Sequence, residues 1–142
     1  MEKFTAKSQA TFKATPEKVW SALTDPLQVK QWLFGTDMSV TEWAVGGKIT
    51  YKGEWEGKQY EDKGTILEIE PGKKLVSTYW SGLSGKADVP ENYQKVSYEL
   101  IPEGEGTKLV ITQEGNETEE SAKHSEGNWK MVLDGLKKVV EK

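Results

Sequence analysis

Ser125–Lys142, SEGNWKMVLDGLKKVVEK, decides how the rest of the chain must fold. Trp129, Val132, Leu133, Leu136, Val139 and Val140 recur at helical spacing. At about 3.6 residues per turn they form one apolar stripe, with Lys130, Asp134, Lys137, Lys138 and Glu141 on the other side. Upstream, between Phe4 and Glu114, the pattern is strand and turn apart from two short helices. One long helix and a large sheet each carry an apolar face, and the stable solution packs the two together.

The strands follow from alternation. Lys3–Lys13 sets Phe4, Ala6, Ser8, Ala10 and Phe12 against Thr5, Lys7, Gln9, Thr11 and Lys13, which predicts a half-buried first strand. Lys48–Trp55 alternates Ile49, Tyr51, Gly53 and Trp55 with polar residues, and Glu56-Gly57-Lys58 turns it into a strand over Gln59–Glu70. Pro71-Gly72 leads into Lys74–Trp80, and Gln94–Ile101 and Lys108–Gln113 flank the turn Glu103-Gly104-Glu105-Gly106. Short turns between consecutive strands imply antiparallel neighbours. With Asp37–Trp43 as a further candidate, the sheet has six or seven strands.

Two helices come after the first strand. Thr15-Pro16-Glu17 supplies a capping hydroxyl, a proline at the first helical position and an acid in the first turn. Asp25-Pro26 repeats the signal, with Gln28 at the capping-box position. Val19, Trp20 and Leu23 face inward from the first helix, and Val29, Trp32 and Leu33 from the second. A split at Asp25-Pro26 makes them a bent pair. The class is α+β, and residues 1–142 are expected to form one domain.

Composition excludes several functions. The chain has no Cys, which removes disulfides, thiolate metal sites and cysteine nucleophiles. All 19 basic residues are Lys and the net charge is −4. An acidic chain without Arg is a poor nucleic-acid surface. No apolar run approaches the roughly 20 residues needed to span a bilayer. Met1–Ala10 has no apolar core of the signal-peptide kind, so the expectation is a cytoplasmic protein with no membrane insertion.

Candidate chemistry is sparse. Six Trp, five Tyr and three Phe give enough aromatic surface for either a bulky core or an aromatic-lined pocket. Trp32, Trp43, Tyr51, Trp55, Tyr60, Tyr79, Trp80, Tyr98, Trp129 and Leu133 lie on or near expected inner faces. His124 is the only His, among polar neighbours, and neither a metal site nor an oriented base is assigned to it. No G-x-S-x-G, H-E-x-x-H or P-loop occurs. Glu42, Glu54, Asp62, Glu68, Glu99 and Glu114 read mostly as solvated outer-face carboxylates. Glu68 shares parity with Gly64 and Ile66, and Gln113 with Leu109 and Ile111, so these two are candidate inward polar anchors. Gly64 and Gly135 are candidate sites of close backbone approach. Ser81–Glu91 reads as a loop, either a lid or a surface turn.

Six motifs in order carry a family resemblance: Ala14–Trp20, Leu23–Pro26, Gln31-Trp32, Gly46–Lys48, Lys63–Lys73 and Trp129–Lys137. The chain resembles the stand-alone homologues of the C-terminal domain of the Hsp90 ATPase activator, within the START-like, Bet v 1-like (SRPBCC) helix-grip superfamily. Asn128 stands between Gly127 and Trp129, where members typically have Gly beside the Trp. The resemblance implies a curved sheet wrapped on the terminal helix, the bent pair closing one end, and a cavity between. It implies three functions. The first is binding of a small apolar, aromatic or lipid-like molecule in that cavity. The second is a chaperone-associated, stress-response interaction module. The third is a cyclase- or dehydratase-like enzyme, which would need a buried carboxylate or tyrosine hydroxyl aimed into the cavity with a perturbed pKa. No catalytic residue, metal or cofactor is assigned, and a monomer or weak dimer is expected.

Overall fold

The computed structural model describes residues 4–33, 35–55, 57–82, 87–116 and 118–141, with the side chain of Trp55 outside that description. The elements run β1 (Phe4–Phe12), α1 (Pro16–Thr24), α2 (Pro26–Trp32), β2 (Asp37–Val40), β3 (Lys48–Trp55), β4 (Lys58–Glu70) and β5 (Lys74–Ser81). A single 3₁₀ turn, Pro90–Asn92, precedes β6 (Gln94–Glu103), β7 (Gly106–Asn116) and α3 (Glu119–Val140). All seven strands form one antiparallel sheet in the order β1-β7-β6-β5-β4-β3-β2. The chain thus lays a meander from one edge inward and closes it with its own first strand.

Local chemistry explains the helix ends. The Thr15 side chain accepts from the Lys18 amide, and Asp25 accepts from the Leu27 amide while Gln28 Nε2 donates to its second oxygen. Helix α3 begins at Glu119, six residues before Ser125, because Thr118 and Ser121 form a reciprocal capping box. It therefore runs straight through Gly127-Asn128.

The core lies between the concave face of the sheet and the three helices. Phe12, Ile49, Ile66, Leu109, Ile111 and Leu136 are among its fully buried side chains. Of the strands, α3 runs closest to β1 and next to β7, while α1 and α2 pack against α3. The free edge of β1 is covered by α3: the Lys7 amide donates to Glu126 Oε2 at 3.0 Å and the Lys13 amide to Glu141 Oε2 at 2.8 Å. An edge strand whose outward amides are occupied offers less of a template for pairing. Gly135 lets α3 approach α2, since a Cβ there would sit 3.0 Å from the Trp32 carbonyl oxygen.

A bulge in β4 shapes the middle of the sheet. Pairing with β5 is regular as far as Ile66↔Ser77, then slips so that Glu68 meets Val76 and Ile69 meets Leu75. One extra residue reverses the inward and outward sides beyond it.

Candidate functional site

Register places a polar group on the concave face. Tyr51 on β3 pairs with Asp62 on β4, and Asp62 pairs with Ser81 on β5. Period-two alternation brings Tyr79 to the same face as Ser81. The Tyr79 hydroxyl donates to Asp62 Oδ2 at 3.0 Å, and the Gly82 amide donates to Asp62 Oδ1 at 3.2 Å. Ser81 adds a further hydrogen bond to the carboxylate. On β6, Tyr98 pairs with Leu75 and Ile111 on the same face. Tyr51, Asp62, Tyr79, Ser81 and Tyr98 are all half-buried, so solvent still reaches them.

Burial and mutual proximity set the protonation of this group. Burial raises the Asp62 pKa, while its bonds from Ser81, Tyr79 and Gly82 pull the other way. Burial and the Asp62 charge push Tyr51 up to about 12. The same causes push Tyr79 up still further, and burial with neighbouring Tyr51 and Tyr79 raises Tyr98. At neutral pH the three tyrosines are phenols that donate and accept hydrogen bonds and do not act as bases.

Next to this group runs a second chain of polar contacts. Trp129 Nε1 donates to Gln113 Oε1 at 2.8 Å, and Gln113 Nε2 donates to Gln94 Oε1 at 2.5 Å. Trp129 also meets Tyr98 edge-on, with ring centroids 6.0 Å apart. Gln113 is 7% exposed, a buried amide satisfied on both ends.

The expected site residues therefore separate. Tyr98, Gln113, Trp129 and Leu133 gather where the sheet meets α3, with Leu133 buried in the core, and Tyr51 and Tyr79 pack against the same core from farther along the concave face. Trp32 is buried in the helical pair, its indole donating to the Ala22 carbonyl at 2.7 Å. Tyr60 lies against Gly53 and shares a 2.5 Å hydrogen bond with Thr36 Oγ1. Glu68 is a correction: the β4 bulge turns it outward, where it pairs with Lys74 at 3.1 Å and its side chain is 60% exposed. Trp80 is a second, since alternation puts it on the outer face, stacked on Tyr93 with Lys63 over its ring. Trp43 sits exposed in the turn before β3. Trp55 lies outside the described side chains, and so in part does the loop expected over Ser81–Glu91. Asp62, which the sequence groups with mostly outer-face carboxylates, is inward. The parity that singled out Glu68 applies to Asp62 with no bulge in between.

Outside the grip, an open groove of about 690 Å³ lies between the β1 edge and α3, lined by Lys7, Ser8, Gln9, Lys123, Glu126, Gly127 and Lys130. It contains no expected site residue. His124 is exposed on α3. Among the described residues, no group of three or more His, Cys, Asp or Glu is placed to hold a metal ion, and no helix is long and apolar enough to cross a membrane.

A seven-stranded open sheet gripping a long terminal helix, with two short helices after the first strand, is the helix-grip architecture of START-like proteins. The chain belongs to the family described as Activator of Hsp90 ATPase homolog 1-like protein, whose model matches residues 13–141. It is similar to ChR145 from Cytophaga hutchinsonii, with 44% identity, a TM-score of 0.83, and 97% of this chain and 94% of that one covered. Protein CV1439 from Chromobacterium violaceum matches at 26% identity and a TM-score of 0.77, over 97% of each chain. The Aha1 dimer from Colwellia psychrerythraea shares the fold, at 23% identity and a TM-score of 0.75, over 97% of this chain and 96% of that one. No curated protein matches.

Proposed function

We propose that this is a small-molecule-binding protein whose ligand lies between α3 and the β3–β5 part of the concave face. The observation that carries the reading is the half-buried set Tyr51, Asp62, Tyr79, Tyr98 and Trp129. A concave face built only for stability would have little use for a half-buried carboxylate among three tyrosines, because partial burial of a charge costs free energy. Mostly apolar walls with a few converging polar groups are what a ligand site needs.

Binding fits this group better than catalysis. Asp62 is already engaged by three donors. The tyrosines are held as neutral phenols, so they can orient a ligand but do not supply a base near neutral pH. An apolar or aromatic compound is the occupant expected along Tyr98 and Trp129.

The test is a titration with aromatic and lipid-like compounds, followed by tryptophan fluorescence and by amide shifts in two-dimensional NMR. Binding should move the signals of Tyr51, Tyr79, Tyr98 and Trp129 and leave Trp80 still. Shifts confined to the groove beside Lys7, Lys123 and Lys130, or no shifts from any compound, would refute it.

The family's name favours a second reading, in which the domain docks on a chaperone. Fold alone does not fix function. Retention of an immobilised Hsp90 by the purified chain would support this reading, and its passage without retention would remove it.

A further inference from the structure

The ligand reading above leaves open what Asp62 recognises, and the groups around the carboxylate narrow it. Its three partners are the Tyr79 hydroxyl, Ser81 and the Gly82 amide, all neutral. The neighbouring lysine on β4 is turned away: Lys63 binds Asp88 at 3.0 Å and lies over Trp80 on the outer face. Lys52, one residue past Tyr51, reaches Glu61 at 3.5 Å on that same outer side. So the lysines flanking the site are matched with other acids, while Asp62 keeps its charge on the concave side with neutral donors only.

The remaining capacity of the cluster is for accepting hydrogen bonds. A carboxylate has about four lone-pair directions, and three are used. Tyr79 spends its one O–H on Asp62 and its oxygen is already engaged by Ser81, so it helps to fix the carboxylate and is not the group that meets a ligand. Tyr51 stands directly across from Asp62 in the β3–β4 ladder, and its phenol feels that charge. The Asp62 carboxylate, with its formal negative charge, and the Tyr51 phenol are cross-strand partners on the concave face, and on the same face Tyr98 and Trp129 present an aromatic wall. A group with several N–H donors and a positive charge complements this arrangement. A carboxylate or phosphate would be repelled, and an uncharged hydroxyl would leave the charge unmatched.

We propose that the concave site takes a primary amine in its ammonium form, held by Asp62 together with the phenol oxygen of its cross-strand partner Tyr51, with an apolar or aromatic body extending toward Tyr98 and Trp129. The inference rests on the ligand-binding reading of the same face and adds the class of compound.

The experiment compares three molecules of similar size that differ in head group: benzylammonium, benzyl alcohol and benzoate. Each is titrated into the intact chain at neutral pH, and dissociation constants are taken from the amide of Gly82 and the indole of Trp129. Benzylammonium is expected to bind about tenfold more tightly than benzyl alcohol, and benzoate more weakly than either. In Asp62→Asn the preference for benzylammonium over benzyl alcohol should fall to within about twofold. Tyr51→Phe keeps the ring and removes one acceptor. It should lower the ammonium preference about threefold, and it serves as the test if the Asn variant does not fold.

Equal binding of benzylammonium and benzyl alcohol by the wild-type chain overturns the proposal. It leaves the ligand-binding reading standing, because the cleft would still be occupied. An ammonium preference that survives in both variants also overturns it. No shift at Gly82 or Trp129 from any of the three overturns the proposal and the reading beneath it together.

Discussion

The two halves of the concave face are built differently. Beneath α3, β1 and β7 present Ala6, Phe12, Leu109 and Ile111, all 0–1% exposed, and α3 answers with Leu133 and Leu136. Toward β3–β6 the same face carries Tyr51, Asp62, Tyr79 and Tyr98, all half-buried, with the Tyr79 hydroxyl bonded to the Asp62 carboxylate. The first half is packed to exclude water and stabilises the fold. The second accepts desolvation costs that stability alone would not select. A grip that closes tightly along one edge can leave its opposite side free for chemistry.

If this division holds, the largest loss of stability comes from the packed half. Leu136 is fully buried where α3 meets the sheet. Leu136→Ala should cost about 2–5 kcal/mol, through lost burial and the cavity left behind. Urea unfolding followed by far-ultraviolet circular dichroism reads this directly, and a cost below about 1 kcal/mol would mean the half is not packed as described.

Gly64→Ala tests whether the open half is loose in its backbone as well as polar in its side chains. A Cβ at Gly64 would sit 2.0 Å from the Thr78 carbonyl oxygen, with backbone and not a flexible side chain in the way. Strands β4 and β5 must part, at about 2–3 kcal/mol on the same unfolding assay. A neutral result would show that β5 can give way there, and the contrast between the halves would then extend to the backbone.

Gln113→Leu acts at the boundary between the halves. It keeps an apolar body of similar length but strands the Trp129 indole N–H and the Gln94 carbonyl oxygen, each now paired to Gln113. Leaving such groups unpaired costs about 1–3 kcal/mol, less if water replaces the amide. The Trp129 indole proton resonance should shift markedly while the Trp32 indole, bonded to Ala22, stays put.

Much of this contrast was readable before any coordinates, and the part that was not has a particular cause. Alternation locates β1, β3, β6 and β7, turn residues bound β4 and β5, the open candidate Asp37–Trp43 is a strand over Asp37–Val40, and the apolar stripe from Trp129 to Val140 identifies the packed face of α3. Proline at Pro16 and Pro26 marked both helix starts, where the structure has its caps. The first turns of α3 carry few apolar residues, so their signal is only the Thr118–Ser121 capping pair, with Ser where Glu or Gln is usual. On β4 a single extra residue between Ile66 and Glu68 defeats a parity count, because sequence does not announce a bulge. That one slip makes Glu68 read as inward although it faces water, while Asp62, ahead of the bulge, lies on the concave side. Whether an aromatic residue is core or wall also depends on how far α3 reaches across the sheet, and that distance is a tertiary property.

The smallest effect on stability has the opposite sign, and it comes from the open half. Burial raises the Asp62 pKa above its ordinary 3.8. Between that value and its own folded pKa, the folded chain holds a proton that the unfolded chain has lost. Stability contributed by this group is therefore complete below pH 3.8 and declines as pH rises through the window, remaining lower above it. Asp62→Asn has no proton to lose. It should match the wild type in acid and equal or exceed it at neutral pH, while Leu136→Ala is weaker at every pH. Paired urea titrations across that range read the difference between the two chains. A wild type that gains on Asp62→Asn as pH rises would mean that the carboxylate is a stabilising member of the fold, and the distinction between the two halves would fail at its central residue.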